Sequence, residues 1–337
     1  MTKQLPVFTL IASISLVLLL ILNISFGSSF IPPTTWLFSF FDGDTTGVNE
    51  ILWQFRLPRA ITCVVAGAGL AVGGLMMQTL FRNPLAGPDV LGLSSGASLM
   101  VALVLMLGLA NKFFYAFATN AWGLALAATM GSAAVFLLVM VLAQIVRDNT
   151  SLLLVGVMVS AATSSVVGVV QFISQASDLQ LFLIWSLGNV GGTNWQEITV
   201  LVILLVVGTC IYIGQIKALN GHLLGEIYAQ SLGINIKQSR LWIVLGTSLL
   251  TGGITAFCGP IAFVGLAVPH LVRMVMPISN HRQLLPMVML GGGCLLLLCD
   301  WLAHLFGSIV LPLNAITSII GAPLVIWMLL KNKKVVL

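Results

Sequence analysis

The sequence predicts an all-α integral membrane protein with ten transmembrane helices. Three observations carry that reading. Of 337 residues, 59% are hydrophobic and only 7% charged, with a mean hydropathy of +1.10. A soluble domain carries roughly 25% charged residues. Apolar runs of about 20 residues, the length a bilayer demands, recur along the whole chain. These runs lack the two-residue alternation of barrel strands, so their backbone groups must be satisfied within helices.

The first span covers 5–24. It follows Lys3 but is longer than the apolar core of a signal peptide, and no small-residue cleavage site succeeds it. A polar loop at 26–55 holds Asp42, Asp44 and Glu50. Span 2, at 58–80, contains Gly67, Gly69, Gly73 and Gly74, small residues that let helices approach closely. Span 3 covers 90–110, span 4 121–146, span 5 152–174 and span 6 198–216. A polar connector at 217–240 leads to span 7 (241–257). Span 8, at 261–276, is short and interrupted by Pro269. Spans 9 and 10 cover 284–306 and 313–330, so residues 1–337 read as one transmembrane domain.

Basic residues set the orientation. With the N-terminus in the cytoplasm, eleven fall inside: Lys3, Arg82, Arg147, Lys217, Lys237, Arg240, Arg273, Arg282, Lys331, Lys333 and Lys334. Only Arg56, Arg59 and Lys112 fall outside. Both termini are therefore expected in the cytoplasm. Arg56 and Arg59 stand out because they oppose the bias.

The net charge of +5 is scattered singly at the ends of apolar runs, without the basic face of a nucleic-acid binder. The five cysteines, Cys63, Cys210, Cys258, Cys294 and Cys299, lie in or beside apolar segments without CxxC spacing. They read as packing residues, implying neither disulfides nor a metal site. No GxxxxGK[ST], HExxH or Ser/His/Asp arrangement occurs, so no catalytic residue and no bound cofactor are expected. Within the spans, ionisable residues are nearly confined to Asp300 and Arg273. A gradient-driven transporter keeps such groups at membrane depth, so their scarcity points to energy supplied by another subunit. An ion- or proton-coupled secondary transporter is the alternative. His270 beside Pro269 reads as a structural histidine at a helix break.

Six motifs in order then carry a resemblance: RLPR (56–59), QTLFRNPLAGPDVLGLSSGA (78–97), GEIYAQSLG (225–233), GPIAFVGLAVPHLVR (259–273), HRQLLP (281–286) and IGAP (320–323). Over nearly its whole length the chain resembles the FecCD-type permeases of vitamin B12, ferric-siderophore and haem ABC importers. The resemblance implies a ten-helix type II importer permease, acting as a homodimer in the bacterial cytoplasmic membrane. It also implies two ATPase subunits, which use ATP and Mg, and an extracytoplasmic binding protein that delivers the cargo. A ferric siderophore is the expected cargo, with haem, cobalamin or an oxyanion such as molybdate as alternatives.

The resemblance also assigns roles. Arg56 and Arg59 match positions that meet acidic residues of the binding protein, and Arg suits carboxylates through its planar fork. His304 stands where the family has a third arginine, and Val310 and Asn314 replace the Glu and Gly of an ELPxG motif. Coupling to the ATPase falls to Gly225, Glu226, Ala229, Leu232 and Gly233, where the small residues Gly225, Ala229 and Gly233 around Glu226 suit a short amphipathic helix. The cytoplasmic gate falls to Asn83, Leu85, Thr150 and Ser151, and the pathway lining to Gly156, Ser160, Thr163 and Ser164.

Overall fold

The computed structural model describes residues 5–27, 29–42, 47–107, 120–143, 145, 149–305 and 309–331. Lys3, Asp44, Lys112, Arg147, Lys333 and Lys334 lie outside them, as do the side chains of Asp42, Thr150 and Lys331. The elements in chain order are α1 (Leu5–Ser25), α2 (Pro33–Asp42), α3 (Val48–Ile51) with a π-turn (Leu52–Arg56), α4 (Leu57–Leu80) and α5 (Leu93–Leu107). They continue as α6 (Ala121–Leu142), α7 (Asn149–Ile173), α8 (Ala176–Ser186), α9 (Trp195–Leu223) and α10 (Glu226–Ser231). The last four are α11 (Ile236–Cys258), α12 (Val264–Val275), α13 (His281–Ala303) and α14 (Leu313–Lys331).

Among the described residues, seven helices are long and apolar enough to cross a membrane: α1, the continuous α3–α4 segment, α6, α7, α9, α11 and α13. Three shorter apolar helices, α5, α12 and α14, fill the remaining predicted positions. All ten expected spans therefore exist as helices. The connector is shorter than expected, because α9 runs on through Lys217 to Leu223 and α11 begins at Ile236. A capping box at Asn194 and Glu197 starts α9, and Asn235 and Asn280 cap α11 and α13 through their side chains.

The bundle is built around α4, which packs on α9, α11, α12 and α13. Nearly every α4 side chain from Pro58 to Leu80 is buried, whereas α1 and α7 present long apolar faces outward. Lipid gives helices no hydrophobic reason to associate, so close backbone approach must hold them. A Cβ on Gly67 would lie 2.2 Å from the Gly292 carbonyl oxygen, and one on Gly74 1.7 Å from that of Gly265. Only glycine permits these two crossings.

Alternating helices leave two ends of the bundle. One carries Arg56, Asp300 and the α7–α9 turn; the other carries the 81–92 loop, α10 and the start of α13. Between α11 and α12 the helix breaks at 259–263, with left-handed Gly259 (φ 70) and Phe263 (φ 67).

Candidate functional site: a polar break, a gate loop and a coupling helix

At the break, Asp89 holds the exposed backbone. Its carboxylate accepts from Phe263 N at 3.2 Å and from Ser94 Oγ at 2.5 Å. Asn314 Oδ1 accepts from Ala262 N at 3.2 Å. Two side chains thus bond amides that a continuous helix would have bonded itself. They border a cavity of about 420 Å³, also lined by Ser95, Ser98, Ser164 and Gln171. Asn314, a departure from the family pattern, has a structural task here. Among the described residues no group of three His, Cys, Asp or Glu side chains could hold a metal.

The pathway expectation divides by helix face. Ser164 is exposed and lines this cavity. Gly156 and Thr163, also expected to line the pathway, are buried. A Cβ on Gly156 would lie 2.8 Å from the Val90 carbonyl oxygen, and Thr163 Oγ1 donates to Val159 O at 2.8 Å. Ser160 is half-buried against Gly92, and its Oγ has no hydrogen-bond partner. Gly156, Ser160, Thr163, Val167 and Val170 fall at helical spacing, and this stripe turns inward, Val167 and Val170 packing on Ala102 and Met106.

The 81–92 loop, where the gate was expected, is tightly turned. Asn83 Oδ1 accepts from Leu85 N at 2.9 Å, and Arg82 takes a left-handed conformation (φ 45). Leu85 packs with Leu266, Ala267 and Val325. Ser151 lies in the first turn of α7, half-buried. The loop reaches α7 through Val90–Gly92 against Gly156 and Ser160.

The connector centres on six-residue α10. Ala229 is fully buried against Gly221, so it faces α9 and not outward. Glu226 pairs with Arg240 of the same chain. Gly225 (φ 103) and Gly233 (φ 79) take positive φ, and a Cβ on Gly233 would meet nothing within 4 Å. Within the chain, the reason for glycine at these positions is backbone conformation. The outward face is apolar: Leu224 is 62% exposed, Ile227 88%, Tyr228 54% and Leu232 58%. Leu224, Ile227 and Tyr228 were missed from sequence; the alternation of these residues with Gly225, Glu226 and Ala229 was the available signal.

At the opposite end, Arg56 and Arg59 are only 4% and 7% exposed. Arg56 donates to Ile24 O at 2.6 Å, to Ser25 O at 2.7 Å and to Ser29 O. Arg59 donates to Asn23 O, to Phe26 O at 2.6 Å and to Asn23 Oδ1 at 3.3 Å, and pairs with Asp300 at 3.2 Å. Arg56 and Arg59, expected to dock the binding protein, thus direct their guanidinium groups into the chain. Both forks serve carbonyls at the C-terminus of α1, where a helix leaves acceptors unsatisfied and favours cations. Asn23 Nδ2 donates to Asp300 at 2.6 Å, and half-buried His304 donates from Nδ1 to Asp300 O at 2.8 Å. His304 thus closes α13 at its C-cap.

A family model, the FecCD transport family, matches residues 15–331. The chain belongs to the FecCD transport family. The hemin transport system permease HmuU of Yersinia pestis is 38% identical over 296 residues, covering 86% of this chain and 87% of that one. The vitamin B12 import system permease BtuC of Klebsiella pneumoniae is 33% identical over 319 residues, covering 94% and 92%. A solved structure, described as a metal-chelate type ABC transporter in an inward-facing conformation, is 26% identical. It superposes with a TM-score of 0.80 over 97% of this chain and 99% of that one. PsaBC of Streptococcus pneumoniae, at 15% identity and a TM-score of 0.56, shares the fold. As in this family, the ten-helix chain is a multi-pass membrane permease.

Proposed function

We propose that the chain is the translocation subunit of an ATP-driven ABC importer for a metal chelate. The observation that carries this is the family match across nearly the whole chain. Two relatives named for haem and vitamin B12 support a metal-centred macrocycle as cargo, ahead of the ferric siderophore expected from sequence. The scarcity of ionisable residues in the spans agrees with energy drawn from separate ATPase subunits that use ATP and Mg, rather than from an ion gradient.

The end bearing α10 and the gate loop faces the cytoplasm in this reading, with both termini there and the chain in a bacterial cytoplasmic membrane. The exposed face of Leu224, Ile227, Tyr228 and Leu232 seats on the ATPase. A second copy covers the apolar outer faces of α7 and α14, where Met158 is 73% and Ile319 68% exposed; the Ser164 side of the cavity then borders the pathway. The binding protein docks on the surface shaped by the Arg56 and Arg59 clamps and His304, not on free guanidinium groups.

Cargo is tested by uptake. Vesicles carrying the assembled importer are offered labelled haemin, cyanocobalamin or ferrioxamine, each alone. ATP-dependent uptake of either macrocycle supports the assignment; uptake of ferrioxamine alone returns it to a siderophore.

A further inference from the structure

His281 opens the HRQLLP motif, to which neither the gate nor the coupling helix gives a role. Its side chain is fully buried where three helices end. Nδ1 lies 2.8 Å from Asn220 Oδ1 on α9, and the His281 backbone N donates to the same oxygen at 3.1 Å. That oxygen is an acceptor in both contacts, so Nδ1 carries a proton. Nε2 lies 2.8 Å from Thr79 Oγ1 on α4. A neutral ring with Nδ1–H accepts there from the threonine hydroxyl.

Thr79 Oγ1 also lies 2.8 Å from Leu75 O. A hydroxyl has one proton, which serves His281 or Leu75 but not both. Arg273 Nη2 on α12 approaches the same oxygen at 3.4 Å, and Tyr212 on α9 donates to the His281 carbonyl at 3.2 Å. One imidazole thus joins α4, α9 and α13, with α12 at its edge. Leaving any of these buried groups unpaired is costly, so the ends are held in register.

Position along the chain gives the junction its meaning. Asn220 lies six residues before Glu226, the first residue of the coupling helix α10, and Thr79 lies four before Asn83 of the gate loop. A second contact runs in parallel: Arg82 of the gate loop lies against Gly225 at the start of the connector, 3.5 Å from where a Cβ would stand. We propose that Asn220, His281 and Thr79 form a polar relay through which movement of the coupling helix reaches the gate loop. His281 and Thr79 are positioning residues in this scheme, with no contact to cargo. The Thr79 hydroxyl supplies a two-state element, turned to His281 in one arrangement and to Leu75 O in the other. This inference rests on the coupling reading of α10.

The test uses the full permease–ATPase complex in liposomes, with Cys210→Ser removing the exposed cysteine and Leu85→Cys as gate reporter. Labelling by an impermeant maleimide is compared without nucleotide and with ATP plus vanadate. The relay predicts a nucleotide-dependent labelling ratio in this parent that falls by about 3–10-fold in Thr79→Val. Thr79→Ser restores it, which a merely structural cavity would not allow. His281→Ala matches Thr79→Val, and the double variant is no worse than either, as expected of one unit. A full ratio in Thr79→Val, or additive losses, overturns the relay. If instead the parent shows no nucleotide response, the coupling reading fails and takes the relay with it. Should His281→Ala not assemble, the Val/Ser pair at position 79 decides alone.

Discussion

Arg59 on α4 and Asp300 on α13 meet at 3.2 Å, and both also bond Asn23 of α1. Three helices are pinned by one buried pair. Breaking a buried pair by removing one partner costs about 3–5 kcal/mol. Arg59→Ala strips Asp300 of its cation and the α1 carbonyls of their donor, whereas Asp300→Ala leaves Arg59 its carbonyls. Thermal unfolding in detergent should therefore rank Arg59→Ala well below Asp300→Ala, with wild type highest. Equal stability of Arg59→Ala and wild type would show that the clamp holds nothing.

Gly67 and Gly292 set the α4–α13 crossing backbone to backbone. Gly67→Leu should prevent folding and leave little protein in the membrane, because neither backbone can yield. Gly168, with nothing within 4 Å of a Cβ, is the control. Gly168→Ala should accumulate normally, and immunoblots of membrane fractions compare the two.

These cases show what the sequence could carry. All ten spans were legible because lipid forces each backbone group to find its partner within its own helix. Which face of α7 turns inward was not legible. In a bilayer the outer face is as apolar as the inner, so Thr163 and Ser164 look alike in sequence although one is buried and one exposed. The internal bonding of Arg56 and Arg59 was not legible for another reason. Basic-residue counting weighs charge against the membrane sides, and it cannot see that α1 ends beside them with carbonyls to satisfy. The interruption expected at Pro269 is instead a continuous helix, and the break lies at 259–263, whose partners Asp89 and Asn314 lie far off in the chain.

The connector glycines give a backbone test. A left-handed conformation costs a non-glycine residue roughly 1–2 kcal/mol, and asparagine tolerates it better than a β-branched residue. Gly233→Val should impair coupled transport more than Gly233→Asn, although neither side chain meets a neighbour within the chain. The ratio of cargo moved to ATP hydrolysed reads the difference. Equal ratios in the two variants would remove backbone conformation as the cause.

The apolar face of α10 gives an assembly test. Ile227→Asp places a charge where 88% of the residue is exposed, so the isolated permease should still fold. Co-purification of the ATPase should be lost, since an unpaired charge in an apolar contact is costly. Undiminished co-purification would move the ATPase contact away from this face.

Energy source separates the proposed importer from a secondary transporter most directly. Liposomes are prepared with the permease and its ATPase, ATP is sealed on the connector side, and the binding protein with labelled haemin is added to the other. The importer predicts uptake that requires ATP and survives collapse of proton and sodium gradients by ionophores. Uptake that proceeds without ATP and stops with the ionophores would contradict it.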